Sequence, residues 1–349
     1  MKGLIFAGDR TVELMDFPDP TPGAGEVVLE MKASGMCGSD LKFYRTPKGA
    51  NAGLGFASNA GPVIAGHEPC GVVVAIGPEV GPREARIGQR VMVHHYHGCG
   101  VCEHCRGGWT QMCAETPDAI YGITAHGGHA PYMKVPASTL VTLPDALSFE
   151  TGAAIACGTG TAYGALRRMA LSGNDTIAIF GQGPVGLSAT QFAAAMGARV
   201  IAFDISPERL ARARALGAEE VFDPRGVDPV AAIRELTGGR GAEKTLDTSS
   251  APDARAAAVR ATRAWGTCCL VGEGGGMSLD VSNDILRRQV TIIGSWTFST
   301  VGLAECARFV AERAIDVDHL FTHRWSLAEG EAAYRLFDTQ ATGKGVFLM

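Results

Sequence analysis

Cys99, Cys102, Cys105 and Cys113 stand in the spacing C-x2-C-x2-C-x7-C. Four soft thiolates this close along a chain reach one tetrahedral zinc when the loop folds back on itself. Gly98, Gly100, Gly107 and Gly108 supply the backbone freedom such a loop needs. The segment shows no helix or strand periodicity, so the metal is expected to be its only core. Two other readings of the same spacing are an iron-sulfur cluster, which is also held by four cysteine thiolates, and free cysteines in a glycine-rich loop. Disulfides are disfavoured among the 10 cysteines. The start of the chain, Met1 to Arg10, has an apolar run too short for a secretory signal, which points to the reducing cytoplasm.

The chain has 349 residues, enough for two domains of ordinary size. With 46% hydrophobic and 19% charged residues and a net charge of −5, the composition is that of a globular protein without a basic face for nucleic acid. Glu103 and Glu115 offset Arg106 beside the cysteines, which argues against a nucleic-acid-binding zinc ribbon. Thr176 to Ala198 carries no charge, yet Gly181, Gly183, Pro184 and Gly186 interrupt it and Gln182 and Gln191 would be unpartnered in lipid. A buried strand, a turn and a buried helix account for it better than a membrane span.

That segment contains the second signal. The apolar run Thr176–Phe180 is followed by Gly181-Gln182-Gly183-Pro184-Val185-Gly186 and then by an alanine-rich helix from Leu187 to Met196. In a strand-turn-helix context, the first glycine of G-x-G-x-x-G makes the turn, the second admits a pyrophosphate and the third packs helix on strand. A second strand, Arg199–Phe203, ends at Asp204, placed to meet the ribose hydroxyls and to repel a 2′-phosphate. NAD is therefore expected over NADP, with Arg209 as the counterweight because an arginine accommodates that phosphate. A helix cap or turn is the other role open to Asp204.

A third group is scattered along the sequence: Cys37 with Ser39 and Asp40, His67 with Glu68, and Cys157. A Cys, a His and a second Cys leave a fourth position open, the set that turns zinc into a Lewis acid. Taken singly, each has a bland role: buried small residues for the two cysteines, a structural hydrogen-bonder for the histidine.

In this order the three signals resemble the zinc-dependent medium-chain dehydrogenase/reductase family, the alcohol dehydrogenases and their polyol and threonine relatives. The resemblance spans essentially the whole chain and is most specific at Gly66-His67-Glu68, the four-cysteine lobe and the glycine turn. It implies an α/β protein: a GroES-like, mostly β catalytic domain over residues 1–158, a doubly wound Rossmann NAD-binding domain over 159–295, and a return to the catalytic domain over 296–349. It implies two zinc ions, one structural at the four cysteines and one catalytic on Cys37, His67 and Cys157, with Glu68 beside the metal and able to enter its shell. Asp40 matches the carboxylate that orients the ligand histidine, Ser39 the hydroxyl that takes the substrate proton, and Thr161 a contact on the nicotinamide side. A homodimer or homotetramer follows family habit, and Val290 to Gly294 is a strand suited to pairing between subunits.

There are departures. Three residues after Ser39 the alcohol dehydrogenases often place a proton-passing histidine, where this chain has Lys42. The stretch Thr46 to Gly61 lengthens the connection between Cys37 and His67. At His94-His95-Tyr96-His97, imidazoles replace large apolar pocket residues, which suggests a polyhydroxylated substrate with His95 lining its site. In the Rossmann part, helices are expected at Arg209–Leu216 and Ala254–Ala264, and strands at Lys244–Asp247, Thr267–Val271 and Thr291–Ile293. The function read from this is hydride transfer between a secondary alcohol or polyol and NAD, with ketone or aldehyde reduction as its reverse. An amino-alcohol dehydrogenase acting on a threonine-like substrate and a zinc- and nucleotide-binding redox sensor without turnover are the alternatives.

Overall fold

The structure, a computed structural model, describes residues 1–49, 61–115 and 119–349. Most of the long Thr46 to Gly61 connection therefore lies outside the described residues. The chain divides into two compact units, one of residues 1–160, 298–340 and 344–349, the other of 161–297 and 341–343.

The first unit is mostly β. Its central strand, Glu26–Gly35, is buried along most of its length and carries partners on both edges. Pro69–Ile76 pairs with it antiparallel on one side. On the other, Tyr132–Pro136 takes its first half and Lys344–Leu348 its last three residues. Arg90–Val93, Leu140–Thr142 and Phe321–Trp325 complete a seven-stranded sheet. Val27, Leu29, Met31, Val73, Val91, Met133 and Val135 close one core over it, and each such side chain contributes about 1.5–3 kcal/mol on burial. In the cysteine lobe the expectation of no regular structure is corrected: Glu103–Arg106 forms one helical turn and Thr110–Met112 a 3-10 turn. Four residues are too few to show a helical period, and the Cys102 side chain caps the turn by accepting the Cys105 N–H.

The second unit is a six-stranded parallel sheet. Its order is Glu220–Phe222, Arg199–Phe203, Thr176–Phe180, Ala242–Asp247, Thr262–Leu270, Thr291–Gly294. The order reverses between Thr176–Phe180 and Ala242–Asp247, and at such a switch point doubly wound sheets bind ligands beyond their strand ends. Four helices open with proline in their first turn, at Pro184, Pro207, Pro229 and Pro252. Proline fits there because that residue's N–H has no helical partner. Ala178, Phe180, Ile201, Phe203, Ile233, Val259 and Cys268 form the core, with the Phe180 and Phe203 rings stacked at 4.9 Å.

One helix ends earlier than its alanine-rich sequence suggests. Pro252–Ala261 is helical, but Thr262, Arg263 and Ala264 already belong to the next strand. Thr262 turns extended, its hydroxyl donates to the Ala258 carbonyl, and it meets the Thr245 hydroxyl at 2.8 Å, so sheet pairing overrides helix propensity.

Candidate active site

Two groups of metal-ligating side chains converge within the first unit. In the lobe, one sulfur from each of Cys99, Cys102, Cys105 and Cys113 lies within 4.8 Å of all the others. Backbone N–H groups of Cys99, Cys102 and Cys105 point at the sulfurs of Cys113, Cys99 and Cys102 at 3.4–3.5 Å. Cys102 titrates at about 6, held down by backbone N–H groups of Ala114 and Cys105, while burial pushes the Cys105 thiol up to about 12.

The second group is Cys37, His67, Glu68 and Cys157, all buried, with one donor atom each inside the same 4.8 Å limit. The Cys37 and Cys157 sulfurs are 3.9 Å apart. A tetrahedral zinc with Zn–S near 2.3 Å needs an S···S edge of about 3.8 Å, so this pair fits such an ion. Cys157 is carried by a π-helical turn, Ile155–Thr159, a wide turn common at functional sites. The close sulfur contact lowers Cys37 well below an ordinary thiol and raises Cys157.

Asp40 opens the helix Asp40–Arg45. Its Oδ2 accepts the Cys37 N–H at 2.8 Å and its Oδ1 lies 2.9 Å from His67 Nδ1. Burial opposes a charged His67, but the Asp40 carboxylate outweighs it and raises the ring's pKa. Ser39 stands where an N-cap would be, yet its side chain caps nothing; its Oγ lies 3.2 Å from His67 Nε2.

Glu68 accepts the Gly158 N–H and pairs with Lys344. Burial raises its carboxyl to about 8 against the pull of Lys344, whose ammonium also donates to the Met36 carbonyl at 3.2 Å. A side chain on Gly35 would put its Cβ 1.9 Å from Glu68 Oε2, so only glycine leaves room for this carboxylate. The sequence reading missed Lys344. A lysine in the buried run Lys344–Leu348 carries no local motif, and its partner is far away in sequence.

His94 and His95 take different surroundings. His95 is buried with its ring centre 5.2 Å from that of His67 and its Nδ1 3.2 Å from the Ala156 carbonyl; burial, then the neighbouring His67, keeps it neutral. His94 does not take a pocket role. Its Nε2 donates to the Phe298 carbonyl at 3.1 Å and its Nδ1 meets the Thr110 hydroxyl at 3.3 Å, so its ring fastens the backbone around the lobe.

In the second unit, Gly181 has φ +90°, a conformation only glycine adopts freely, and a Cβ there would meet Ser249 at 2.9 Å. A Cβ on Gly186 would sit 1.9 Å from the Gly181 carbonyl, which is how the third glycine packs helix on strand. Gly183 differs: only Arg209 Nη1, at 4.0 Å, comes near its Cβ position, leaving open space over the helix start at Pro184 and Val185. That open face at a helix N-terminus suits a pyrophosphate. Asp204 Oδ2 accepts the Gln182 N–H at 2.5 Å and Oδ1 the Ser206 N–H at 2.8 Å, so the carboxylate laces the turn as well as standing at its rim. Arg209 donates to the Thr342 carbonyl at 3.3 Å. Thr161 is buried in the first turn of the helix Gly160–Arg168.

Known proteins resemble this chain in sequence and fold. Residues 23–145 match the family described as alcohol dehydrogenase GroES-like domain, and 184–312 the family described as zinc-binding dehydrogenase. The zinc-type alcohol dehydrogenase-like protein YphC of Escherichia coli K12 is 39% identical over 99% of both chains. Sorbitol dehydrogenase of Bacillus subtilis is 30% identical over 95% of this chain and 92% of its own. The structure of alcohol dehydrogenase TADH from Thermus sp. ATN1 superposes with a TM-score of 0.89 at 26% identity, covering 100% of this chain and 99% of the other. With a GroES-like unit, a doubly wound sheet and both cysteine-bearing clusters in place, the chain belongs to the zinc-dependent medium-chain dehydrogenase/reductase family.

Proposed function

We propose that the protein is an NAD-dependent dehydrogenase of secondary alcohols or polyols. The observation that carries this is the convergence of Cys37, His67 and Cys157 with the hydroxyl of Ser39 at His67 Nε2. Cys37, His67 and Cys157, with Glu68 beside them, would hold a catalytic zinc, and the four lobe cysteines a structural one. Bound at the first set, zinc supplies a Lewis acid that lowers the pKa of an alcohol oxygen. NAD, held at the Gly181–Gly186 turn with Asp204 at its ribose, supplies the hydride acceptor.

The chain's own residues do the rest. Asp40 holds the proton of His67 on Nδ1 and leaves the Nε2 lone pair for coordination. Ser39 Oγ accepts the substrate hydroxyl proton as it gives up its own, and the histidine that would carry it onward in the alcohol dehydrogenases is replaced here by Lys42. Neutral His95 offers a ring nitrogen to a substrate hydroxyl. Thr161 contacts the nicotinamide side. Asp204 disfavours a 2′-phosphate, with Arg209 the residue that would favour it. The enzyme works as a homodimer or homotetramer in the cytoplasm, on small alcohols or carbonyls rather than nucleic acid or lipid. Among the described residues no helix is long and apolar enough to cross a membrane.

The test is turnover of zinc-replete protein against simple alcohols, sugar alcohols, aldoses and threonine, with NAD and NADP side by side. NAD reduction with a polyhydroxylated substrate is expected. Activity only with threonine refutes the assignment to secondary alcohols and polyols, and activity only with NADP refutes the cofactor assignment. Silence across the panel with zinc bound favours a sensor without turnover.

A further inference from the structure

Behind His67 runs a line of buried polar side chains that the reaction itself does not use. Asp40 Oδ2 receives the Tyr334 hydroxyl at 3.1 Å, Tyr334 receives His129 Nε2 at 2.8 Å, and His129 Nδ1 meets Ser34 Oγ at 2.7 Å. Tyr334, His129 and Ser34 are each 0% exposed. They come from three places in the fold: the helix Gly330–Asp338, the segment leading into the strand Tyr132–Pro136, and the end of the strand Glu26–Gly35.

The direction of every proton in this line is dictated by its acceptor end. A carboxylate only accepts, so the Tyr334 O–H must donate to Asp40. The tyrosine oxygen is then free to accept, which places the His129 hydrogen on Nε2 and makes Nδ1 the acceptor of the Ser34 hydroxyl. The line ends at a buried serine, so it leads no proton to solvent. Its effect falls on Asp40: with Oδ2 pinned by both the Cys37 N–H and the Tyr334 O–H, the carboxylate cannot turn, and Oδ1 stays at His67 Nδ1.

We propose that Tyr334, held by His129 and Ser34, is a positioning residue that fixes the His67 ring for metal binding by locking the rotation of Asp40. This rests on the reading of Cys37, His67 and Cys157 as a zinc set. Partners of this kind, one step behind a ligand, are worth 10–100-fold in metal affinity or activity.

Tyr334→Phe keeps the ring, which packs edge-on against Phe6 at 4.9 Å, and deletes only the hydroxyl. Zinc release to a chromogenic chelator is followed in wild type and variant, with the lobe zinc as the internal reference. The expected result is release from the Cys37–His67–Cys157 set about 10-fold faster, release from the lobe unchanged, and a shifted visible band in the cobalt-substituted protein. Unchanged release from the first set, or equal acceleration of both phases, overturns the proposal, because the latter is what general loosening of the core would give. If Tyr334→Phe does not fold, His129→Leu is measured in the same way, with a smaller acceleration confined to the same phase expected. A wild-type protein that holds zinc only in the lobe refutes the zinc set itself before any variant is compared.

Discussion

Asp204→Asn separates the two duties of that carboxylate. In the wild type both oxygens accept backbone N–H groups, from Gln182 at 2.5 Å and Ser206 at 2.8 Å. The amide keeps one acceptor and turns an NH2 toward the other N–H, so one charge-assisted hydrogen bond is lost. That loss costs about 1.5–3 kcal/mol in the stability of the nucleotide unit. Removing the charge has a second effect. Two unit charges near 4 Å interact by about 4 kcal/mol at an effective dielectric of 20, and a 2′-phosphate carries more than one charge. Relief of even a third of that repulsion shifts the NADP-to-NAD ratio of kcat/KM by about 10-fold. The assays are urea unfolding and steady-state kinetics with both cofactors. A variant that loses stability with an unchanged cofactor ratio shows Asp204 to be a turn residue only. One that changes neither refutes both halves of the reasoning.

Ser39→Ala lowers kcat by at least about 100-fold with little change in KM, since the hydroxyl is assigned to proton transfer rather than binding; steady-state kinetics across pH checks it, and an unchanged kcat removes Ser39 from the reaction. Cys102→Ser reduces the zinc content to one ion per chain and opens the lobe, read by metal analysis and by new tryptic cleavage at Arg106; full zinc retention sinks the four-cysteine assignment. Zinc binding at the Cys37–His67–Cys157 set weakens as pH falls. Asp40 raises His67 above its ordinary pKa, so the ring keeps its proton to higher pH and zinc must displace it. Calorimetry in two buffers of different ionisation enthalpy reads the released protons, and an affinity independent of pH between 6 and 8 contradicts the pairing.

The parts of this fold that were readable in the sequence are those specified locally. Thr176–Phe180 and Arg199–Phe203 are strands with the bounds their apolar runs suggest, because both faces of a parallel sheet are covered and the pattern needs no distant partner. The G-x-G-x-x-G turn and the four-cysteine lobe are likewise written within a few residues each. What escaped depends on distant partners. Thr262 leaves its helix because Thr245, on the neighbouring strand, offers a hydroxyl. His94 looked like its neighbour His95 and differs only because the Phe298 carbonyl reaches its ring. Lys344 and Tyr334 are a buried lysine and a buried tyrosine in strand and helix patterns that would hold just as well around apolar residues. The sheet that brings the strand Lys344–Leu348 beside Gly35 gives Lys344 its Glu68, and the packing of the helix Gly330–Asp338 against the helix Asp40–Arg45 gives Tyr334 its Asp40.

That same strand sets an order of events during synthesis. The nucleotide unit is built mainly from one unbroken stretch, 161–297, and most of it has left the ribosome before the final strand of the other unit is made. The cysteines and histidine of the first unit therefore emerge early and wait, with Glu68 lacking its ammonium and the strand Glu26–Gly35 lacking the partner of its last three residues. An exposed strand edge is a template for wrong pairing. Nascent chains stalled between residues 300 and 340 are thus the species most prone to aggregate and most in need of a chaperone, whereas emergence of the strand Lys344–Leu348 supplies edge strand and counter-charge in a single step.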